Sequence, residues 1–248
     1  MIDTLRLREE AQSCGISLEQ ETAEKLDIYA RLLVEWNEKM NLTAITAPGE
    51  IVTKHFVDSL TAGVLLPAAG EEPLTLVDVG TGAGFPGVPL ALWRPDIRLT
   101  LLDSLNKRLV FLETVCRELE LPVTLVHARA EEAGRRKDMR EHFAVATARA
   151  VAALPTLCEY CLPLVRPGGC FIAMKGPSGP EETAASSNAL SRLGGKIDEI
   201  RQLRLPSACE DTAESEASAS RTLILVRKIS PTPAAYPRVS AKIAKQPL

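Results

Sequence analysis

The sequence contains no run near the roughly 18 apolar residues of a membrane-spanning helix. Its start, MIDTLRLREEAQ, lacks the apolar stretch of an export signal. The chain is therefore expected in the cytoplasm. No disulfide-like framework is visible either: Cys14, Cys116, Cys158, Cys161, Cys170 and Cys209 are scattered, so reduced thiols are expected. Cys158 and Cys161 form a C-x-x-C pair, but no second pair or H-x₃₋₅-H accompanies them to complete four zinc ligands. With only His55, His127 and His142 in the chain, no metal is expected. A strong charge excess is also missing. The net charge of −3 argues against non-specific coating of nucleic acid, which rests on many phosphate contacts.

What is present suits a globular protein. The 248 residues are 46% hydrophobic and 25% charged, enough for one large domain, alone or with a small appendage. Charge is uneven: residues 1–60 hold 11 acids against 6 bases, while residues 221–248 hold 6 bases and no acid. A polyanion is expected to meet the second half.

Leu18, Leu26, Tyr29, Leu33, Trp36 and Met40 recur at helical steps, predicting a long amphipathic helix over 18–40. A shorter helix is expected near 3–13, ended by Gly15, and another from Glu50 to Leu66. After residue 73 the pattern changes to short apolar runs at 74–80, 98–103, 122–128, 143–150 and 168–176, separated by helical periods. Strands apolar on both faces and alternating with helices predict a parallel sheet covered on both sides. Runs at 196–205 and 221–229 follow without a helix between them and predict an antiparallel pair at the sheet edge. The expected fold is α/β: a doubly wound, mostly parallel, seven-stranded Rossmann-like sheet with an N-terminal helical cap. The cap covers 1–66, the sheet domain 67–230, and an extended basic tail 231–248. The small, acidic residues of 207–220 predict a mobile loop.

Residues 77–91, VDVGTGAGFPGVPLA, place Gly80, Gly82 and Gly84 after the first strand. A strand, a glycine-rich turn and a helix start describe a nucleotide-type site. A dinucleotide fingerprint needs G-x-G-x-x-G, and counting from Gly80 finds Phe85 where the third glycine belongs. The spacing G-x-G-x-G, with Asp78 two residues ahead, better suits S-adenosylmethionine. Asp103 ends the second strand, where a carboxylate accepts ribose hydroxyls or caps the next helix. Ala130 and Glu131 follow the third strand, where an adenine edge lies in this architecture; Glu131 also suits a helix cap. Arg149 ends the fourth strand and faces the same crevice, toward a methionine carboxylate or a substrate phosphate.

The acceptor is approached by elimination. Methylating an exocyclic amine calls for an N/D-P-P-Y type loop, and this chain has TARA there. Methylating a pyrimidine carbon needs a cysteine nucleophile, and none stands in a Pro-Cys setting. A ring nitrogen such as guanine N7 needs neither device.

WNEKMNLTAI (36–45), HFVDSL (55–60), VDVGTGAGFPGVPLA (77–91), ARAVA (148–152), MKG (174–176) and YPR (236–238) together resemble the bacterial ribosomal RNA small-subunit methyltransferase G family, also called glucose-inhibited division protein B. The resemblance spans nearly the whole chain in order. It implies N7-methylation of a guanine in 16S ribosomal RNA, with the RNA or the small ribosomal subunit as partner. It also puts Gly80, Phe85, Ala130, Glu131 and Arg149 on cofactor-contact positions, with Arg149 as the catalytic candidate. Departures are Ala148, where the family has serine, and Ala241 and Ile243, where its tail has glycine and proline. Candidate RNA contacts are Lys107, Arg108, Arg135, Arg136, Lys137, Lys175, Arg238, Lys242 and Lys245. His55 and Asp58, one helical turn apart, either approach the target or tie the cap to the sheet. Asn41 suits a helix C-cap. A monomer is expected, without membrane or metal. The rival readings are a methyltransferase for a small molecule or protein, and a non-catalytic S-adenosylmethionine-binding module.

Overall fold

The computed structural model describes residues 1–206 and 219–248. One sheet runs in the order β3-β2-β1-β4-β5-β7-β6. Its strands are β1 Leu74–Val79, β2 Ile97–Asp103, β3 Val123–His127, β4 Phe143–Arg149, β5 Val165–Lys175, β6 Gly195–Arg204 and β7 Ser220–Lys228. The first five pair in parallel. The last two form the expected antiparallel pair, with β7 inserted between β5 and β6. The connector at 207–220 falls almost wholly outside the described residues.

Side chains alternate across each strand, so the two faces bury different sets. Leu76, Leu99, Leu101 and Ile172 lie on one side with helices α5 (Gly87–Trp93) and α6 (Asn106–Glu118). Val77, Val79, Ala146 and Phe171 lie on the other, with α8 (Leu154–Cys161) and α10 (Ser187–Leu193). The short helices α7 (Ala130–Ala133) and α9 (Gly179–Ala185) complete this second layer.

The N-terminal helices α1 (Thr4–Ser13) and α2 (Gln20–Met40) end as the sequence predicts. Gly15 follows α1 at φ +80°, and Asn41 closes α2 in the left-handed region. Leu7, Leu26, Tyr29 and Leu33 join the same cluster as Leu76 and Leu101, so cap and sheet share one core. Burying each such side chain contributes about 1.5–3 kcal/mol. The helix expected at 50–66 is composite: α3 (Pro48–Glu50), a π segment (Ile51–Val57), α4 (Asp58–Thr61) and a 3₁₀ turn (Ala62–Leu65). A π turn adds a residue and re-aims the side chains around it. His55 sits inside it.

The tail is not extended, contrary to expectation. Arg140 donates to the carbonyls of Thr232 (2.6 Å) and Tyr236 (2.9 Å), and Ile243 is fully buried on a closing helix, Ser240–Lys245. Lys228 is also buried; its Nζ donates to the Leu162 carbonyl at 2.7 Å and to the Thr232 hydroxyl, with Glu141 at 3.3 Å. Burial lowers its pKa from 10.5 to about 8, with Glu141 opposing. The unfolded chain therefore binds the extra proton between those values, and stability rises with pH across that window. Lys228→Met is expected to flatten this rise, read as urea midpoints on either side of it.

Candidate active site

Strand order reverses between β1 and β4, where ligands bind in open α/β sheets. There β1 runs into Gly80, Gly82 and Gly84, all at positive φ. A Cβ at Gly82 would meet nothing nearer than the Gly80 carbonyl at 4.0 Å, and the residue donates its N–H to Asp103 Oδ2 at 2.9 Å. Gly84, at φ +100°, lies against Tyr29 and Leu112 so closely that a Cβ would collide with both. Tyr29 donates its hydroxyl to the Ala83 carbonyl, tying α2 to the loop. Burial raises the Tyr29 pKa well above the usual value, so the donor keeps its proton.

Asp78 is placed differently from the sequence reading. It is fully buried and does not line the cavity beside the loop. Its carboxylate accepts from Thr81 Oγ1 (2.6 Å), Thr147 Oγ1 (2.9 Å) and the Gly87 amide (3.1 Å). It anchors both ends of the glycine turn to β4. Burial raises its pKa, and these hydrogen bonds oppose the rise.

The cavity itself measures about 360 Å³ and is lined by Gly80, Asp103, Arg108, Ala130, Glu131 and Tyr160, among others. Asp103, 2% exposed, also accepts from the Leu105 amide at 2.9 Å, so two backbone donors fix its carboxylate at the cavity wall. Ala130 and Glu131 open α7, where the first amides have no intrahelical partner. Glu131 is buried and its Oε1 has no hydrogen-bond partner among the described residues. Buried acceptors without a partner in the protein are uncommon.

A second cavity of about 370 Å³ adjoins the first at Ala150, a non-glycine residue held at φ +55°. Backbone in that region is strained and clusters at functional sites. Arg149 lines the second cavity, not the first. Its Nη1 donates to Asp58 Oδ2 (2.8 Å) and to the Lys54 carbonyl (3.2 Å), and its guanidinium sits 4.9 Å over the Phe85 ring. The other Asp58 oxygen accepts from Arg221 Nε at 2.7 Å. Asp58 thus ties the cap to β4 and β7. His55 has a separate partner, Thr43 Oγ1, at 2.9 Å. Its ring stacks on Phe85 at 4.5 Å and 12°, and Tyr29 stacks on Phe85 at 5.3 Å.

Family comparison follows the same architecture. A family model described as rRNA small subunit methyltransferase G matches residues 22–208. The chain belongs to that family. A protein of that name from Acetivibrio thermocellus is 47% identical over 98% of this chain and 95% of its own. One from Desulfitobacterium hafniense is 48% identical over 96% of this chain and 94% of its own. Among solved structures, a chain of the complex between the Haloferax volcanii Trm112 methyltransferase activator and a methyltransferase matches with a TM-score of 0.57. It is 15% identical, covering 80% of this chain and 98% of that one, a likeness of fold.

In this member of the rRNA small subunit methyltransferase G family, several expected RNA contacts are engaged within the protein. Arg238 forms a bidentate pair with Glu159, which is fully buried; the shortest contact is 2.6 Å. Lys175 is bound to Glu182 at 2.8 Å and to the Ala152 carbonyl. Arg108 turns toward Asp103 at 3.3 Å and lines the first cavity. Arg136 is exposed but paired with Asp138. Lys107, Arg135, Lys137, Lys242 and Lys245 are exposed. Sequence reasoning missed Tyr29, Thr147, Glu182 and Arg221. Tyr29 reads there as one more apolar position of an amphipathic helix, and nothing local to Arg221 signals Asp58, 163 residues away.

Cys158 and Cys161 are buried in α8. Burial pushes the Cys158 thiol up to about 12 and Cys161 well above the usual value. Among the described residues no three His, Cys, Asp or Glu gather as a metal site, and no helix is long and apolar enough to cross a membrane. Cys209 lies outside the described residues.

Proposed function

We propose that this protein transfers a methyl group from S-adenosylmethionine to N7 of a guanine in 16S ribosomal RNA. Family membership supports the reaction, and one observation carries the placement: two cavities meet at the tip of β4, one beside the glycine turn and one beyond it.

The first cavity suits an adenosyl group. Asp103, fixed by the Gly82 and Leu105 amides and met by Arg108, keeps an acceptor site for a ribose hydroxyl. Glu131 Oε1, without a protein partner, suits the exocyclic amine of adenine. Gly80 and Gly82 let the ligand approach the backbone, while Gly84 makes room for Tyr29 and Leu112 behind the turn. When bound, S-adenosylmethionine supplies an electrophilic methyl group on a positively charged sulfur. Guanine N7 has an in-plane lone pair and loses no proton on methylation, so no general base is required. Alignment and exclusion of water then do most of the work. Arg149, held by Asp58, Lys54 and Phe85, orients the target in the second cavity. The exposed cations Lys107, Arg136, Lys242 and Lys245 contact phosphates. The protein acts as a monomer in the cytoplasm, on RNA or the small ribosomal subunit.

The test incubates purified protein with methyl-labelled cofactor and unmodified small subunits, then maps the label by N7-sensitive strand scission. Label on a pyrimidine or an exocyclic amine overturns the N7 assignment. Asp103→Ala is expected to weaken cofactor binding by about 1–3 kcal/mol. A calorimetric affinity equal to wild type would remove Asp103 from the ribose site.

A further inference from the structure

The π segment carries a polar atom that neither packing nor the cofactor cavity explains. His55 is 7% exposed, and its Nδ1 has no hydrogen-bond partner among the described residues. Buried polar nitrogens are nearly always satisfied. The residue lines the second cavity, next to Arg149 and Asp58.

The ring's protonation follows from its neighbours. Thr43 Oγ1 accepts from the Ile45 amide at 3.0 Å and lies 2.9 Å from His55 Nε2, with one proton and one further lone pair left for that contact. When the hydroxyl donates there, Nε2 accepts and the neutral imidazole carries its hydrogen on Nδ1. Burial, reinforced by the charge of Arg149, lowers the pKa to about 3, with the Lys54 backbone opposing although it makes no well-formed hydrogen bond to Nδ1. The ring is neutral at physiological pH. Stacking on Phe85, itself backed by Tyr29, fixes its plane.

We propose that His55 reads the target base, its Nδ1–H donating to O6 of the guanine held in the second cavity. This rests on the guanine-N7 reading above and names the group that selects guanine there. Guanine presents N7 and O6 side by side as acceptors, whereas adenine presents an amine beside N7. A fixed N–H donates to the first edge and meets the second donor to donor. A neutral ring also suits the product, because N7-methylation leaves the purine positively charged and an imidazolium beside it would oppose the reaction.

Three variants separate this role from simple support of Phe85. His55→Asn keeps an amide at the Nδ1 position, His55→Gln keeps one on the Thr43 side, and His55→Phe keeps the stack alone. Each is assayed for cofactor affinity by calorimetry and for kcat/KM on unmodified small subunits. The expected result is unchanged cofactor affinity throughout, with kcat/KM down about tenfold to a hundredfold for phenylalanine and glutamine and largely retained for asparagine. Phenylalanine at wild-type activity overturns the proposal. So does equal loss in asparagine and glutamine, or a loss that follows weakened cofactor binding. Should the phenylalanine variant not fold, the asparagine–glutamine pair decides alone. If wild type itself places no label on guanine N7, the functional reading fails first and takes this inference with it.

Discussion

Arg238→Ala is expected to cost about 3–5 kcal/mol of stability, the usual loss when one partner of a buried ion pair is removed. Glu159 is fully buried in α8, and Arg238 meets it through its backbone amide at 2.7 Å, Nε at 2.8 Å and Nη2 at 2.6 Å. Truncation leaves that carboxylate inside with the backbone amide but no cation. Chemical denaturation reads the loss directly. The double variant Glu159→Leu with Arg238→Leu is expected to recover much of it, since replacing both charges removes the desolvation penalty. A loss below about 1 kcal/mol for Arg238→Ala, the scale of an exposed pair, would return this arginine to the surface cations.

Asp78→Ala is expected to damage both stability and cofactor binding. Three buried donors would lose their acceptor: the hydroxyls of Thr81 and Thr147 and the amide of Gly87. Each unpaired donor costs about 1–3 kcal/mol, less whatever relaxation recovers. The glycine turn would also be released from β4, so affinity for S-adenosylmethionine is expected to fall more than about tenfold, beyond what a misplaced site typically retains. Calorimetry and thermal melting on the same preparation check both effects. Wild-type affinity in a destabilised variant would show that the turn holds its shape without this anchor.

The strands were legible because their signals are local. Short apolar runs, glycine at strand ends and helical periods between the runs name each element from its own residues, and all seven predicted runs correspond to strands. The glycine turn was equally plain, since its positive φ angles demand glycine wherever the chain then goes. Side-chain partners were not legible. Arg238, Lys175 and Arg108 look like surface cations in a linear text, and only the fold brings Glu159, Glu182 and Asp103 to them. Asp78 shows the same limit from the other direction. Its position two residues before Gly80 suggests ligand contact, while β1 is buried on both faces there and Asp78 bonds the turn from within. The spacing of His55 and Asp58 suggested a bonded pair, yet the π segment separates their partners. No local propensity announces that extra residue.

Because β7 runs against its neighbours, its first residues arrive where β4 and β5 end, and Arg221 reaches Asp58 from there. A chain emerging from its amino end would have the glycine turn, Asp103 and Arg149 in place long before this arginine exists. During synthesis, then, Arg221 can complete the wall of the second cavity only after β7 has been made and has paired with β5.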